Sequence, residues 1–406
     1  MKVLFISGLY SNALKASFIE NSKKGLLQNA CDTFQWAVVE GLFDNNVDFY
    51  TFSYPFLPCF PFNYKKCIIP SDVIEYSNKV IGKSFSYYTL PILKDYSIGL
   101  SLKRNVSNWI AKNIKDNESF AVLTYTAEPF FIEPLSRLKK KYPRMIIASI
   151  VTDLVDDIFN FKSNLSLLKK IQSNNRIKRT KKGYDVIDKY ILLTNQMEEK
   201  IPQSVGNNII VEGIYKNSDN IKAGDHIVHS LLYTGALEEY AGVKLLVEAF
   251  RKTSSKDFKL IICGNGPLAD YIKYNASLDS RIDFRGSVSR DEAVRLQKEV
   301  SLLINPRQPN GGITKYSFPS KTMEYMSSGT PMIGYRLEGM PAEYFDHMFI
   351  PSDLSLDALV ESLVSCFNLS SEKLAEVGEN ARIFIQNNKT AKSQVKRIID
   401  FIGILN

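Results

Sequence analysis

Apolar and polar positions along the chain alternate in two rhythms. Short runs with apolar middles and polar ends recur at Val3–Ser7, Val47–Phe52, Ala121–Tyr125, Met145–Val151 and Tyr190–Leu193. They are rich in β-branched and aromatic residues, which predicts strands. Longer amphipathic stretches lie between them and predict helices. Apolar strands separated by helices predict a parallel sheet covered on both faces. The rhythm pauses from about Gln196 to Gly224, where Pro202, Gly206, Asn207, Asn208 and Gly213 precede a polar tail. That composition reads as a linker. Alternation restarts at Ser230–Thr234 and runs on through Lys259–Cys263, Ile282–Arg285, Ser301–Asn305, Pro331–Tyr335 and Met348–Ile350. The pattern predicts an α/β protein of two Rossmann-like domains, residues 1–200 and 229–388. A linker over 201–228 joins them, and a helix occupies 389–406.

Length agrees, since 406 residues exceed what one hydrophobic core usually organises. No apolar run reaches the ~18 residues of a membrane span. The opening MKVLFISGLYSNALK lacks a small-residue cleavage site, so it reads as a first strand and not as a signal peptide. Cys31, Cys59, Cys67, Cys263 and Cys366 are odd in number and scattered. They show no zinc pattern, and reduced thiols of a cytoplasmic protein account for them.

Net charge is +8, and the excess is uneven. Lys169, Lys170, Arg176, Lys178, Arg179, Lys181 and Lys182 follow one another with no acid among them. Two readings stand: a solvated helix face, or a surface for an anionic partner such as a phosphate-bearing acceptor or the inner face of a membrane. Nucleic acid is not indicated, because no nucleic-acid module accompanies the charge. Tyr54–Tyr64 (YPFLPCFPFNY) combines three prolines with five aromatics. Proline excludes helix and interior strand there. The loop is either packed on the surface or an apolar rim for a membrane or a lipid-linked acceptor.

Candidate chemistry gathers in the second half. Gly235, Gly264 and Gly286 each end a predicted strand, and ligands of open α/β sheets bind beyond the carboxyl ends of strands. Gly264 and Gly266 form a Gly-x-Gly pair, but no third glycine and no ribose-binding acid follow at the dinucleotide spacing, which argues against a nicotinamide site. The loop Asn305–Lys315 carries Arg307, Gly311 and Gly312. It leads to Phe318-Pro319-Ser320-Lys321 and a short helix that Gly329 closes. A helix N-terminus with Ser320 and Lys321 in its first turn suits a phosphate. Glu324 lies one turn further on the same face, placed to accept hydrogen bonds from two ribose hydroxyls. The competing reading is a capped helix with a Lys–Glu surface pair.

At these residues the chain resembles the retaining glycosyltransferase family 4, of GT-B fold. LLYTGALEEYAGVKLLVEAF, KLIICGNGPL, IDFRGSVSRDEAVRLQKEVSLLINPR, FPSKTMEYMSSGTPMIG, GMPAEYF and NARIFI carry the likeness in order and spacing. The FPSKxxEYMxxGTP form is most similar to bacterial enzymes that build capsular and other surface polysaccharides. The first half is similar only in rhythm, as an acceptor domain of this family would be. The resemblance implies two domains facing across a cleft and a last helix that returns to the first domain.

It also implies roles. Glu324 would meet the ribose. Ser320, Lys321 and the Gly311–Gly312 backbone would meet the diphosphate or sugar. Ser287 and Val288 would meet the base, and Gly235 would leave room for phosphates. Three positions depart from the family. Tyr316 stands where an acid would contact the donor sugar, and Ala236 and Ala241 stand where an arginine and a lysine would meet the diphosphate. Arg307, Lys321 and Lys315 are the candidate replacements. On the acceptor side, Asp153 after the strand MIIASIV would orient the acceptor hydroxyl or take its proton, or else cap a helix. Glu128 is a second candidate.

The expected reaction is metal-independent, retaining transfer from a nucleoside diphosphate sugar to a saccharide or lipid-linked saccharide, with no cofactor. The rivals are a sugar-nucleotide epimerase of the same fold and a catalytically silent sugar-nucleotide-binding partner.

Overall fold

The computed structural model describes residues 1–23, 27–154, 167–215, 222–310 and 312–404. The chain divides into two units, Met1–Ile214 with Ala391–Asn406, and Tyr215–Thr390. The first runs β1 (Lys2–Ser7), α1 (Asn12–Asn21), α2 (Asn29–Asp44), β2 (Phe49–Ser53), β3 (Ile68–Ile69), β4 (Asp72–Tyr76), β5 (Lys79–Ser84), β6 (Tyr87–Tyr88), α3 (Leu93–Asn113), β7 (Phe120–Tyr125), α4 (Pro129–Lys141), β8 (Met145–Val151), α5 (Leu167–Tyr184), β9 (Lys189–Leu192) and β10 (Asn208–Ile210). The second runs β11 (Ile227–Ala236), α6 (Val243–Lys252), β12 (Lys259–Asn265), α7 (Ala269–Leu278), β13 (Ile282–Gly286), α8 (Arg290–Glu299), β14 (Val300–Asn305), α9 (Gly312–Lys315), α10 (Ser320–Ser327), β15 (Met332–Gly334), α11 (Leu356–Phe367) and α12 (Ser371–Asn388). The last helix, α13 (Ala391–Ile402), belongs to the first unit.

In the first unit eight strands form one sheet in the order β10-β9-β8-β7-β1-β2-β5-β4. Every neighbour pairs in parallel except β4, which folds back antiparallel on β5 at the edge. The central strands are buried and mainly apolar because helices cover both faces, and the buried Thr124 hydroxyl donates to Ser149 Oγ at 2.9 Å. Val3, Phe5, Leu123 and Ile150 are fully buried, and α13 adds Val395, Ile398, Ile399 and Ile402 to the same cluster. Order reverses between β1 and β7.

The second unit holds five parallel strands in the order β13-β12-β11-β14-β15. Order reverses between β11 and β14, so the crevice beyond those two strand ends is where this topology binds ligands. The helices α6 and α11 share one apolar cluster with the sheet, around Leu246, Phe250, Leu359 and Leu363. On the other face Tyr325, Met326, Tyr344 and Ile385 form a second cluster.

Some expectations change. Met348–Ile350 forms no strand beyond one bridge, from Phe349 to Ile333. Pro351 follows and offers no N–H to extend the ladder. Asn208–Ile210, in the stretch read as a linker, pairs in parallel with β9. The aromatic loop Tyr54–Tyr64 packs mostly inward. Tyr54, Leu57 and Tyr64 are buried, and Phe62 alone of its aromatics is largely exposed. The basic run lies on α5, where α4 and the residue before it supply acids that the local sequence lacks: Arg176 pairs with Glu128 and Arg179 with Glu133. The side chain of Lys169 lies outside the described residues. No helix among the described residues is long and apolar enough to cross a membrane.

Candidate functional site

The crevice between β11 and β14 is built by side chains that reach across it. Tyr325 of α10 is fully buried. Its hydroxyl accepts the Thr234 N–H at 2.9 Å and donates to the Thr234 carbonyl at 3.1 Å. Asn305, at the end of β14, donates from Nδ2 to Thr322 Oγ1 at 3.3 Å. These contacts fix the first turns of α10 against both strand ends. The stem of Lys321 therefore lies over Gly235. A Cβ on Gly235 would stand 3.0 Å from Lys321 Cε and 2.6 Å from the Tyr233 hydroxyl. Only glycine permits this approach. One strand over, a Cβ on Gly264 would overlap the carbonyl oxygen of Gly235.

Two cations occupy the crevice. Lys321 is half-buried, and burial pulls its pKa below the ordinary lysine value although Glu324 opposes the shift. No hydrogen-bond acceptor meets its ammonium among the described residues. Arg307 leaves β14 and is held in place by stacking and by sterics. Its guanidinium carbon lies 5.8 Å from the centre of the Tyr240 ring. The turn before α6 brackets the preceding residue, where Gly242 adopts φ +76° with its α-carbon against the Pro306 carbonyl. Burial lowers the Arg307 pKa as well. One terminal nitrogen reaches Ser317 Oγ at 3.4 Å, and Nε has no partner among the described residues. Desolvated cations without carboxylates are costly. An anion bound beside them would recover that cost.

Glu324 is aimed by a residue that local sequence did not single out. Gln297 of α8 is almost wholly buried and donates from Nε2 to Glu324 Oε1 at 2.6 Å. Its own carbonyl accepts the Thr330 hydroxyl at 2.6 Å, so α8, Glu324 and the end of α10 form one network. The signal was present in the sequence. Gln297 stands three residues after Val294, an amide on the buried stripe of an amphipathic helix.

The other candidates are distributed. Ser320 opens α10 and is exposed, where the free N–H groups of a helix start lie. Tyr316 follows α9, with Lys315 Nζ 5.6 Å from its ring centre. Gly312 begins α9, and Gly311 lies outside the described residues. Gly264 and Gly266 end and follow β12. Ser287 and Val288 follow β13, two strands from β11 at the sheet edge. Ser287 is exposed, and Val288 packs on the cluster around Tyr325. In the first unit, Asp153 is exposed beyond β8 and accepts the Thr152 hydroxyl at 3.1 Å. Glu128 precedes α4 and is engaged by Arg176 at 2.7 Å.

Residues 228–368 match the model of a family described as "Glycosyl transferases group 1", just over a third of the chain and all within the second unit. The match supports a glycosyltransferase class for this chain. No curated protein gives a significant match. Solved structures do. The chain is similar to the lipopolysaccharide outer core galactosyltransferase WaaB in its apo form, at 16% identity, 99% coverage of each chain and a TM-score of 0.60. HepE from Anabaena, in complex with UDP and glucose, is 12% identical with 100% of each chain covered and a TM-score of 0.56. A trehalose-6-phosphate synthase studied for glycosyl transfer with retention is 9% identical, again with 100% of each covered and a TM-score of 0.61. These likenesses show the fold, which is GT-B.

Proposed function

We propose that this chain transfers a glycosyl group from a nucleoside diphosphate sugar to a hydroxyl of a saccharide acceptor, with retention at the anomeric carbon. One observation carries the proposal: Lys321 and Arg307 are desolvated and have no carboxylate partner at the strand-order reversal of a sheet whose residues match a sugar-transferase family. Breaking the glycosidic bond leaves negative charge on the diphosphate. Lys321, Arg307 and the start of α10 would stabilise that charge, so positioning and electrostatics supply most of the rate without a metal. In this reading Arg307 does the work of the cations absent at Ala236 and Ala241. Ser320 and the Gly311–Gly312 segment complete the phosphate contacts, and Ser287 and Val288 receive the base. Tyr316 lies on the sugar side, and Asp153 orients the acceptor hydroxyl. HepE was solved with UDP and glucose, so uridine diphosphate sugars head the donor panel. WaaB acts on lipopolysaccharide, which makes a cell-surface saccharide, lipid-linked or free, the acceptor class to test first.

Glu324 takes the ribose hydroxyls in this reading, with Gln297 as its positioning residue. Gln297→Leu is expected to weaken nucleoside diphosphate binding about three- to tenfold, the loss of one charge-assisted contact's alignment. The same change should leave the affinity for a 2′,3′-dideoxy analogue nearly unchanged. Equal losses for both nucleotides would remove Glu324 from ribose recognition.

The proposal is tested by incubating the purified chain with donor sugars, alone and with saccharide acceptors, and following nucleoside diphosphate release. Transfer should require the acceptor, and NMR should show the donor's anomeric configuration in the product. A donor sugar altered without acceptor would instead identify an epimerase. A nucleotide bound but never consumed would identify a silent binding protein.

A further inference from the structure

The first unit carries an apolar surface that the donor site does not use. Leu93, Tyr96 and Leu100 recur at helical spacing along α3 and are 48%, 66% and 53% exposed, and Ile92 just before them is 80% exposed. The opposite face of α3 buries Ile98, Leu102 and Val106, so the core does not need the outer stripe. Ile92 adopts φ +69°, an outlier for a β-branched residue. That conformation is held where the side chain meets solvent.

Beside the stripe lies a cavity of about 750 Å³ among α3, α4 and α5, with Tyr96, Leu100 and Pro134 in its walls. Its charged lining is mainly basic: Lys103, Arg137, Arg176 and Arg179 against Asp95 and Glu133. Arg176 and Arg179 are committed to Glu128 and Glu133. Lys103 and Arg137 are exposed and make no salt bridge among the described residues. Arg179, then Arg137 and Lys182, hold the Glu133 carboxyl below its ordinary range. Lys170 and Lys178 are exposed on α5 as well.

An exposed apolar stripe rimmed by unpaired cations is complementary to an anionic bilayer. Aliphatic and aromatic side chains enter the boundary of the acyl region, while lysine and arginine heads reach the phosphates. A free phosphate would leave the stripe unused, and a saccharide would gain nothing from Ile92 and Leu93. We propose that the face formed by α3, α4 and α5 docks on the anionic surface of a phospholipid bilayer. The proposal is independent of the donor chemistry.

The test is co-sedimentation of the full chain with vesicles of phosphatidylcholine alone and with admixed phosphatidylglycerol. Binding is expected to the anionic vesicles only and should fall with added salt. Tyr96→Ser with Leu100→Ser, and separately Lys103→Glu with Arg137→Glu, should each lower the bound fraction at least about fivefold. Lys256→Glu with Lys259→Glu, an equal charge change in the second unit, should not. An unchanged melting temperature without ligand shows that each variant is folded. No binding to anionic vesicles overturns the proposal, as does an equal loss from the second-unit control. Concentration-dependent self-association that Tyr96→Ser with Leu100→Ser abolishes, without vesicle binding, would assign the face to a second copy and also overturn it.

Discussion

Lys321→Met is expected to weaken nucleoside diphosphate binding by about 30- to 150-fold. Methionine keeps the stem over Gly235 and removes only the charge. A hydrogen bond to a charged group contributes about 2–3 kcal/mol, and each 1.4 kcal/mol is tenfold in affinity. The variant should also melt no lower than the parent when no ligand is present. Burial holds the Lys321 pKa below its unfolded-state value, so the native state binds this proton less tightly than the unfolded chain does. The charged form therefore opposes folding at neutral pH, and the penalty fades as pH rises through the unfolded lysine range. Methionine removes the penalty. Diphosphate affinity in the parent should fall as pH rises through the lowered Lys321 pKa, earlier than an exposed lysine would allow. Titration calorimetry across alkaline pH measures both. Unchanged affinity in the variant would remove Lys321 from the site. A melting temperature well below the parent's would show that its role is structural.

Gly264→Ala is expected to destabilise the second unit by about 3–5 kcal/mol. A methyl group there overlaps the Gly235 carbonyl, a backbone atom that no rotamer change can move aside. Overpacking and a strained backbone each cost about 1–3 kcal/mol. The relief available is to push the end of β11 away from β12, and that carries Gly235 off Lys321. Any folded variant should therefore bind nucleotide poorly at saturating stability conditions. Denaturant unfolding, read by a probe in the second unit, checks the magnitude. A loss under 1 kcal/mol would mean that β11 and β12 part without penalty at this point.

Much of this architecture was legible from strand rhythm. Met145–Val151 coincides residue for residue with β8, and Lys259–Cys263, Ile282–Arg285 and Ser301–Asn305 fall within β12, β13 and β14. β8, β12 and β14 are largely buried, so each reads as an apolar run, whereas β13 at the sheet edge shows as an alternating one. Other edge elements were not legible. β3 and β6 are two residues each and β10 three, too short to show a period. In the site, glycines at strand ends and the Ser320–Lys321 helix start announced themselves, because a close approach needs glycine and a helix start follows proline. The clamps did not. Gln297 and Tyr325 act over 27 and 91 residues of sequence separation, and only the fold brings them to Glu324 and Thr234. The basic run could not be read from local sequence for the same reason: the partners of Arg176 and Arg179 are Glu128 just before α4 and Glu133 within it, 48 and 46 residues away. The exposed stripe on α3 escaped notice because Leu93, Tyr96 and Leu100 look like core positions until the opposite face is seen to be buried.

The central claim is that the β11–β14 crevice binds a nucleoside diphosphate. Its most direct test is the melting temperature of the full chain against UDP, GDP, ADP and dTDP, each beside its parent nucleoside. A ligand at 100 times its Kd adds about 2.7 kcal/mol to the native state, a rise of several degrees for a unit of this size. The account predicts that at least one diphosphate produces that rise, that its nucleoside does not, and that Lys321→Met abolishes it. No rise with any diphosphate, or an equal rise with the nucleoside alone, would contradict it.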